Sequence, residues 1–132
     1  IRKYIMEEHK ISASLEDYIE AIHQISKEKQ VVKAIDLSKR LDVKRSSVAE
    51  AIKNLTKREL VTYENNNLKL TDKGLEIAKE VINRHNTLYN FFVKVLKVEP
   101  EEAQLNACRV EHVITENAFK NLTKYIKEKT DM

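Results

Sequence analysis

The chain has 132 residues but a single glycine, Gly74, and a single proline, Pro100. So few breakers exclude a loop-rich fold and favour long helices joined by short polar turns. A single cysteine, Cys108, excludes an internal disulfide and fits a reducing compartment. It leaves Cys108 as a core residue, a nucleophile or a metal ligand. No apolar run approaches the length of a membrane span, and no signal-peptide pattern opens the chain, so a cytoplasmic protein with no membrane partner is expected. The length suits one compact unit or two small ones. With 42% hydrophobic and 34% charged residues, the balance is that of a helix-rich globular protein.

Net charge is +3, unevenly spread: Val31 to Thr71 holds nine Lys or Arg against five Asp or Glu, a net +4, and the remainder is −1. Concentrated positive charge of this kind is expected of a segment that meets an anionic polymer.

Ile1 to Ile11 has no clear pattern; Met6 is a candidate natural start. From Ser14, a candidate N-cap, Leu15, Ile19, Ile22 and Ile25 with Tyr18 repeat at helical spacing to about Lys27. A shorter helix is expected over Ala34–Leu41, a tight turn at Asp42-Val43-Lys44, and a third helix from about Arg45 to Arg58. Two short alternating runs, Leu60–Glu64 and Leu68–Leu70, around Asn65-Asn66-Asn67 predict a β-hairpin. Three helices followed by a hairpin is the order of a winged helix-turn-helix. Thr71 then caps a long helix on which Leu75, Ala78, Ile82, His85, Tyr89, Phe92 and Leu96 form a heptad-like seam. Ile77, Val81, Leu88 and Val95 form a second apolar stripe beside it, so this helix needs two neighbours. Pro100 suits the first turn of a further helix reaching about His112 or Val113. A last helix is expected from about Thr115 to Lys129, with Phe119, Leu122 and Ile126 on one face.

The helix expected at Arg45 opens with Lys44, Arg45, Ser46 and Ser47. Basic side chains and helix N-terminal amides suit phosphates, and small hydroxyl residues let the backbone approach the major groove. Glu50, one turn on, is placed to accept from a cytosine amino group. Lys33, Lys53, Asn66 and Lys69 complete the expected DNA-contacting set, the last two on the wing. The competing reading is a winged helix used for protein contacts.

The most informative run is Cys108-Arg109-Val110-Glu111-His112. On a helix, Cys108 shares a face with Glu111 and His112, and thiolate, carboxylate and imidazole together are a ligand set for a first-row divalent metal. Asp17 and Glu20 make a second cluster on the first helix. His85, set in the apolar seam, makes a third contribution. Singly, each has a structural reading: Asp17 completing a capping arrangement with Ser14, Glu20 a surface carboxylate, Cys108 a small core residue, His85 a hydrogen-bonded core histidine. Together they favour a metal. His9 and His23 read as surface residues, and Tyr18 as core.

Ser14-Leu15-Glu16-Asp17-Tyr18-Ile19-Glu20-Ala21-Ile22, Val43-Lys44-Arg45-Ser46-Ser47-Val48, Leu70-Thr71-Asp72-Lys73-Gly74, Arg84-His85 and Ala107-Cys108-Arg109-Val110-Glu111-His112-Val113 resemble the family of the diphtheria toxin repressor and the manganese transport regulator. The resemblance runs from about Ser14 to Ile126. It implies a mainly α protein, with a winged helix-turn-helix DNA-binding domain over residues 1–71 and a helical metal-binding and dimerisation domain over residues 72–132. It implies a homodimeric repressor that binds metal between the two halves, recognises palindromic double-stranded operator DNA, and controls metal-homeostasis genes. Matching positions suggest Asp17, Glu20, His85, Cys108, Glu111 and His112 as ligands. By its length it is expected to be a short form, without the extra C-terminal domain of longer, iron-type members. Arg45 stands where the family often has proline. Asp17 resembles the manganese type and Cys108 the iron type, while Tyr89 and Gln104 stand where iron-type members have further ligands. Carboxylates favour Mn(II) over Fe(II), with Zn(II) or Co(II) able to substitute through the thiolate.

The expected mechanism is linkage: a metal held by both halves favours one orientation of the two recognition helices, about one DNA turn apart. One rival is a winged-helix regulator answering an organic ligand, with the polar cluster structural; the main reading expects no small organic substrate. A second rival, a metal hydrolase, finds no HExxH pattern and no glycine-rich phosphate loop, so no enzymatic activity is expected.

Overall fold

The computed structural model describes residues 13–130, and side chains over 15–129. The sequence readings of Met6 and His9 lie outside these residues. The described chain is mainly helical: α1 (Ala13–Glu28), α2 (Ala34–Leu41), α3 (Arg45–Lys57), β1 (Val61–Glu64), β2 (Asn67–Leu70), α4 (Asp72–Asn90), a π-helical segment Phe91–Val95, α5 (Pro100–Val110) and α6 (Glu116–Thr130). It forms two compact units, Ser14–Lys79 and the described residues from Glu80 onward.

The first unit is a winged helix-turn-helix, as the order of sequence signals predicts. Its core collects Ile19, Ile22 and Ile25 of α1, Leu37 of α2, Val48, Ile52 and Leu55 of α3, and Leu60, Val61 and Leu68 of the hairpin region, all buried. Each such side chain contributes roughly 1.5–3 kcal/mol through burial. Ser14 lies inside α1 rather than capping it, because the helix already includes Ala13.

The turn between α2 and α3 dispenses with glycine. Asp42 takes the left-handed conformation, φ 52°, which short polar side chains tolerate better than most. Val43 N donates to Ser38 O at 3.1 Å, and Ser38 Oγ returns a bond to Val43 O at 2.6 Å.

The wing turn is tighter than three asparagines suggest. Asn65 and Asn66 both have positive φ, 53° and 60°, the pattern of a two-residue hairpin turn. Asn67 instead pairs with Glu64 in an antiparallel register that continues to Val61 opposite Leu70. The segment before α2 ties into this hairpin, with Leu68 N donating to Val32 O at 2.8 Å and Val32 N to Asn67 Oδ1 at 3.1 Å.

Thr71 caps α4 as expected: Gly74 N donates to Thr71 Oγ1 at 3.1 Å, and the hydroxyl donates to Glu59 O at 2.7 Å. The long helix does not continue regularly to Leu96. After Asn90 it widens, and Leu96 N bonds back five residues to Phe91 O at 3.1 Å. Phe91-Phe92-Val93 and Val95 are aromatic or β-branched residues that fit a regular helix poorly, and the Phe91 and Phe92 rings meet edge to face with centroids 5.7 Å apart. Along α4, Ile77, Ala78, Val81, Arg84 and Leu88 are buried, whereas Leu75, Ile82, His85 and Tyr89 of the seam are half-buried.

Within the second unit α5 packs on the π-helical segment, burying the small residues Ala103 and Ala107. Pro100 occupies the first turn of α5. α5 ends at Val110, and Glu111 to Val113 form a turn. Glu111 therefore caps the helix instead of lying within it, keeping helical angles and donating its N–H to Ala107 O at 3.0 Å. Thr115 closes the start of α6 through Ala118 N to Oγ1, 3.2 Å.

Candidate metal centre

Three of the expected ligands converge in the second unit. Cys108 extends from the last turn of α5, Glu111 from its cap and His85 from α4; one potential ligand atom of each lies within 4.8 Å of the others. Cys108 Sγ is 3.8 Å from His85 Nδ1, and Glu111 Oε2 is 3.4 Å from the same nitrogen. His112 follows in the turn, its Nε2 3.5 Å from Glu111 Oε1. Glu111 keeps helical backbone angles, and His112 follows it in the turn with the two side chains in mutual reach.

The environment is graded. Cys108 is exposed, His85 is half-buried, and Glu111 and His112 are buried, Glu111 at 1% exposure. Its Oε2 accepts no hydrogen bond among the described residues. A buried carboxylate oxygen with lone pairs uncommitted is costly unless a cation or donor meets it. A soft sulfur, a borderline imidazole nitrogen and a hard carboxylate oxygen form a donor set that suits a first-row divalent metal, so the residues fit one.

Asp17 and Glu20 sit on α1 in the first unit, both half-buried. Gln104, which stands where iron-type members have a further ligand, lies one turn before Cys108 on α5 and faces two of the clustered side chains. Its Oε1 is 3.1 Å from His85 Nε2, and its Nε2 donates to Cys108 Sγ at 3.9 Å. Two signals point to it: its place at a further-ligand position of iron-type members, and the spacing of four from Cys108, which puts both on one helix face.

The expected DNA-contacting residues are all exposed in the first unit. Lys44 is the N-cap of α3 with no side-chain cap bond, and Arg45, Ser46, Ser47, Glu50 and Lys53 follow on that helix. Lys33 is the N-cap of α2, Asn66 is at the tip of the wing, and Lys69 lies on β2 opposite Thr62.

Comparison with known proteins gives this arrangement its context. Residues 10–67 match the model of the iron dependent repressor N-terminal DNA binding domain, and residues 71–131 that of the iron dependent repressor metal binding and dimerisation domain. The chain is 32% identical over 123 residues to an HTH-type transcriptional regulator of Methanocaldococcus jannaschii, covering 92% of this chain and 98% of that one. The chain belongs to the iron-dependent repressor family. This iron-dependent repressor homologue is also 33% identical over 119 residues to the HTH-type transcriptional regulator MntR of Bacillus subtilis, covering 87% of this chain and 83% of that one. Among solved structures, a manganese-dependent transcriptional repressor in complex with manganese shares its fold, with a TM-score of 0.78 at 24% identity over 86% of this chain. The chain spans about half the length of that structure, 52%. Among the described residues no helix is long and apolar enough to cross a membrane.

Proposed function

We propose that this repressor-family protein binds palindromic double-stranded operator DNA as a homodimer when loaded with a divalent transition metal, and so controls genes of metal homeostasis. The observation that carries this reading is the convergence of His85, Cys108 and Glu111 on one another, with a buried Glu111 oxygen uncommitted to any hydrogen bond among the described residues.

His85, Cys108, Glu111 and His112 would hold the metal from the second unit, and Asp17 and Glu20 would add carboxylates from α1. The support for those two is chemical: hard oxygen donors three residues apart on one helix complement the softer set. When bound, a divalent cation would supply the positive charge that offsets repulsion among whichever of these carboxylates hold it. Ligands shared between residues 1–71 and residues 72–132, the division we assign to DNA binding and to metal binding with dimerisation, would favour one population competent for DNA. The carboxylates favour Mn(II) over Fe(II), and the Cys108 thiolate admits Co(II) or Zn(II). The role is sensing, and no turnover is assigned.

On DNA, Lys33, Lys44, Arg45 and Lys53 meet phosphates, Ser46 and Ser47 let α3 enter the major groove, Glu50 faces base edges, and Asn66 and Lys69 reach the flanking backbone. For the dimer, the half-buried seam of α4 and the exposed Leu96 and Leu105, each 50% accessible, offer the second unit apolar surface for a second copy.

An anaerobic operator-binding titration across Mn(II), Fe(II), Co(II) and Zn(II) tests the proposal. Metal should tighten binding, with Mn(II) most effective, and Glu111→Ala should lose the response with its helical content intact. Equal operator affinity with and without every metal would refute it.

A further inference from the structure

Gln104 touches two members of the cluster at once. Its Oε1 is 3.1 Å from His85 Nε2, and its Nε2 donates to Cys108 Sγ at 3.9 Å. The other nitrogen of His85, Nδ1, faces Cys108 Sγ at 3.8 Å and Glu111 Oε2 at 3.4 Å. A ring nitrogen ligates only when it carries no proton, and in a neutral imidazole the proton then resides on the other nitrogen. The nitrogen turned toward Cys108 and Glu111 is Nδ1, so the ligating form of His85 carries its proton on Nε2. Gln104 Oε1 stands where that proton needs an acceptor. A thiolate calls for the opposite partner, a donor, and the Gln104 amide nitrogen supplies it. A carbamoyl group carries an acceptor and a donor on one plane, and both are matched here to the forms that the two ligands must adopt.

We infer that Gln104 is a positioning residue for the metal centre. It holds His85 as the Nε2–H tautomer with Nδ1 aimed at Cys108 and Glu111, and its amide nitrogen holds the Cys108 sulfur in place. The inference rests on the reading that His85 and Cys108 ligate the metal, and it adds the side chain that prepares them. It also explains why an exposed, uncharged side chain contributes to a charged site: outer partners of this kind fix ring orientation and ligand basicity.

The test uses the full chain and two variants. Gln104→Leu removes both the acceptor and the donor at similar size, whereas Gln104→Glu keeps an acceptor for His85 and loses the donor to Cys108. Co(II) titration reads affinity and the thiolate-to-metal charge-transfer band. Nitrogen-15 histidine spectra of the Zn(II)-loaded chain read which ring nitrogen of His85 ligates and which carries the proton. The wild-type chain should show Nδ1 on the metal and a protected proton on Nε2. Gln104→Leu should weaken Co(II) binding about 10- to 100-fold and lose the protected His85 proton. Gln104→Glu should restore that proton while its charge-transfer band moves in energy. Wild-type His85 ligating through Nε2, or Gln104→Leu binding Co(II) as tightly as wild type, would overturn the inference. A wild-type chain with no thiolate band at saturating Co(II) would overturn the ligand reading itself. That failure is told apart because it arises before any Gln104 variant is compared.

Discussion

A Cβ placed on Gly74 would stand 2.1 Å from the carbonyl oxygen of Leu60 and 3.1 Å from its carbonyl carbon. The same carbonyl accepts the N–H of Thr71 at 3.0 Å, so it cannot swing aside without releasing the start of α4 from the base of the wing. Alanine is the better helix former by up to about 1 kcal/mol, but here the close approach reverses the sign. Gly74→Ala is expected to destabilise the chain by about 1–3 kcal/mol, the usual range for overpacking against groups that cannot retreat. Urea unfolding measures it, and an unchanged or raised midpoint would show that the Leu60 carbonyl yields freely.

The end of α3 makes the opposite prediction. Leu60 N donates to Leu55 O at 2.9 Å and Glu59 N to Thr56 O at 3.0 Å, the paired bonds of a helix terminus that closes on a left-handed residue. Glu59 is that residue, φ 61°, and a side chain there costs roughly 1–2 kcal/mol that glycine avoids. Part of the gain is offset by the greater freedom of glycine in the unfolded chain. Glu59→Gly should therefore raise stability by somewhat under about 1 kcal/mol without altering helical content, as read by paired urea and circular dichroism curves.

These two sites show what the sequence displays and what it hides. The helix-turn-helix and wing were legible because apolar residues alternate at helical spacing in Leu15–Ile25 and Val48–Leu55 and at strand spacing around Asn65 and Asn66. Cys108, Glu111 and His112 were legible because their spacing is local. Glu59 in a left-handed turn carries no composition signal, since glycine or asparagine would ordinarily mark it. The widening at Phe91 depends on a five-residue hydrogen-bond register that an apolar pattern does not encode. The end of α5 at Val110 has neither glycine nor proline to announce it. The link from His85 to Gln104 arises between residues 19 positions apart, so it follows from how α4 and α5 pack and not from either segment alone.

Asp36 should give the first unit part of its acid sensitivity. Lys29 Nζ reaches its Oδ1 at 2.9 Å and the Lys33 N–H reaches Oδ2 at 2.9 Å. The Lys29 ammonium first, and then the Lys33 amide, hold the carboxyl below its ordinary range. A depressed folded value means that the stabilisation is present above the unfolded carboxylate value, near ~3.9, and is lost as pH falls through the folded one. Asp36→Asn should lower stability at neutral pH by less than about 1 kcal/mol, as suits a partly exposed pair. The difference from wild type should vanish in acid. Unfolding midpoints of both chains at neutral pH and below the carboxylate range decide this, and a gap that persists in acid would place the effect elsewhere.

On the proposed reading, Glu111 sets stability against metal response. Its buried Oε2 accepts no hydrogen bond among the described residues and faces His85 Nδ1 at 3.4 Å, and an unsatisfied buried acceptor costs about 1–3 kcal/mol. Glu111→Gln keeps the shape and removes the charge, so without metal the variant should be more stable than wild type by about 1 kcal/mol. With metal the order should invert. A ligand at 100 times its dissociation constant adds about 2.7 kcal/mol to a chain that binds it only when folded, and the variant, lacking the charged oxygen, should gain little. Thermal unfolding of both chains across a Mn(II) titration would show the two curves crossing. Parallel curves, with the variant gaining as much as wild type, would remove Glu111 from the ligand set, and with it the residue that most directly joins the cost of the empty site to the response of the loaded one.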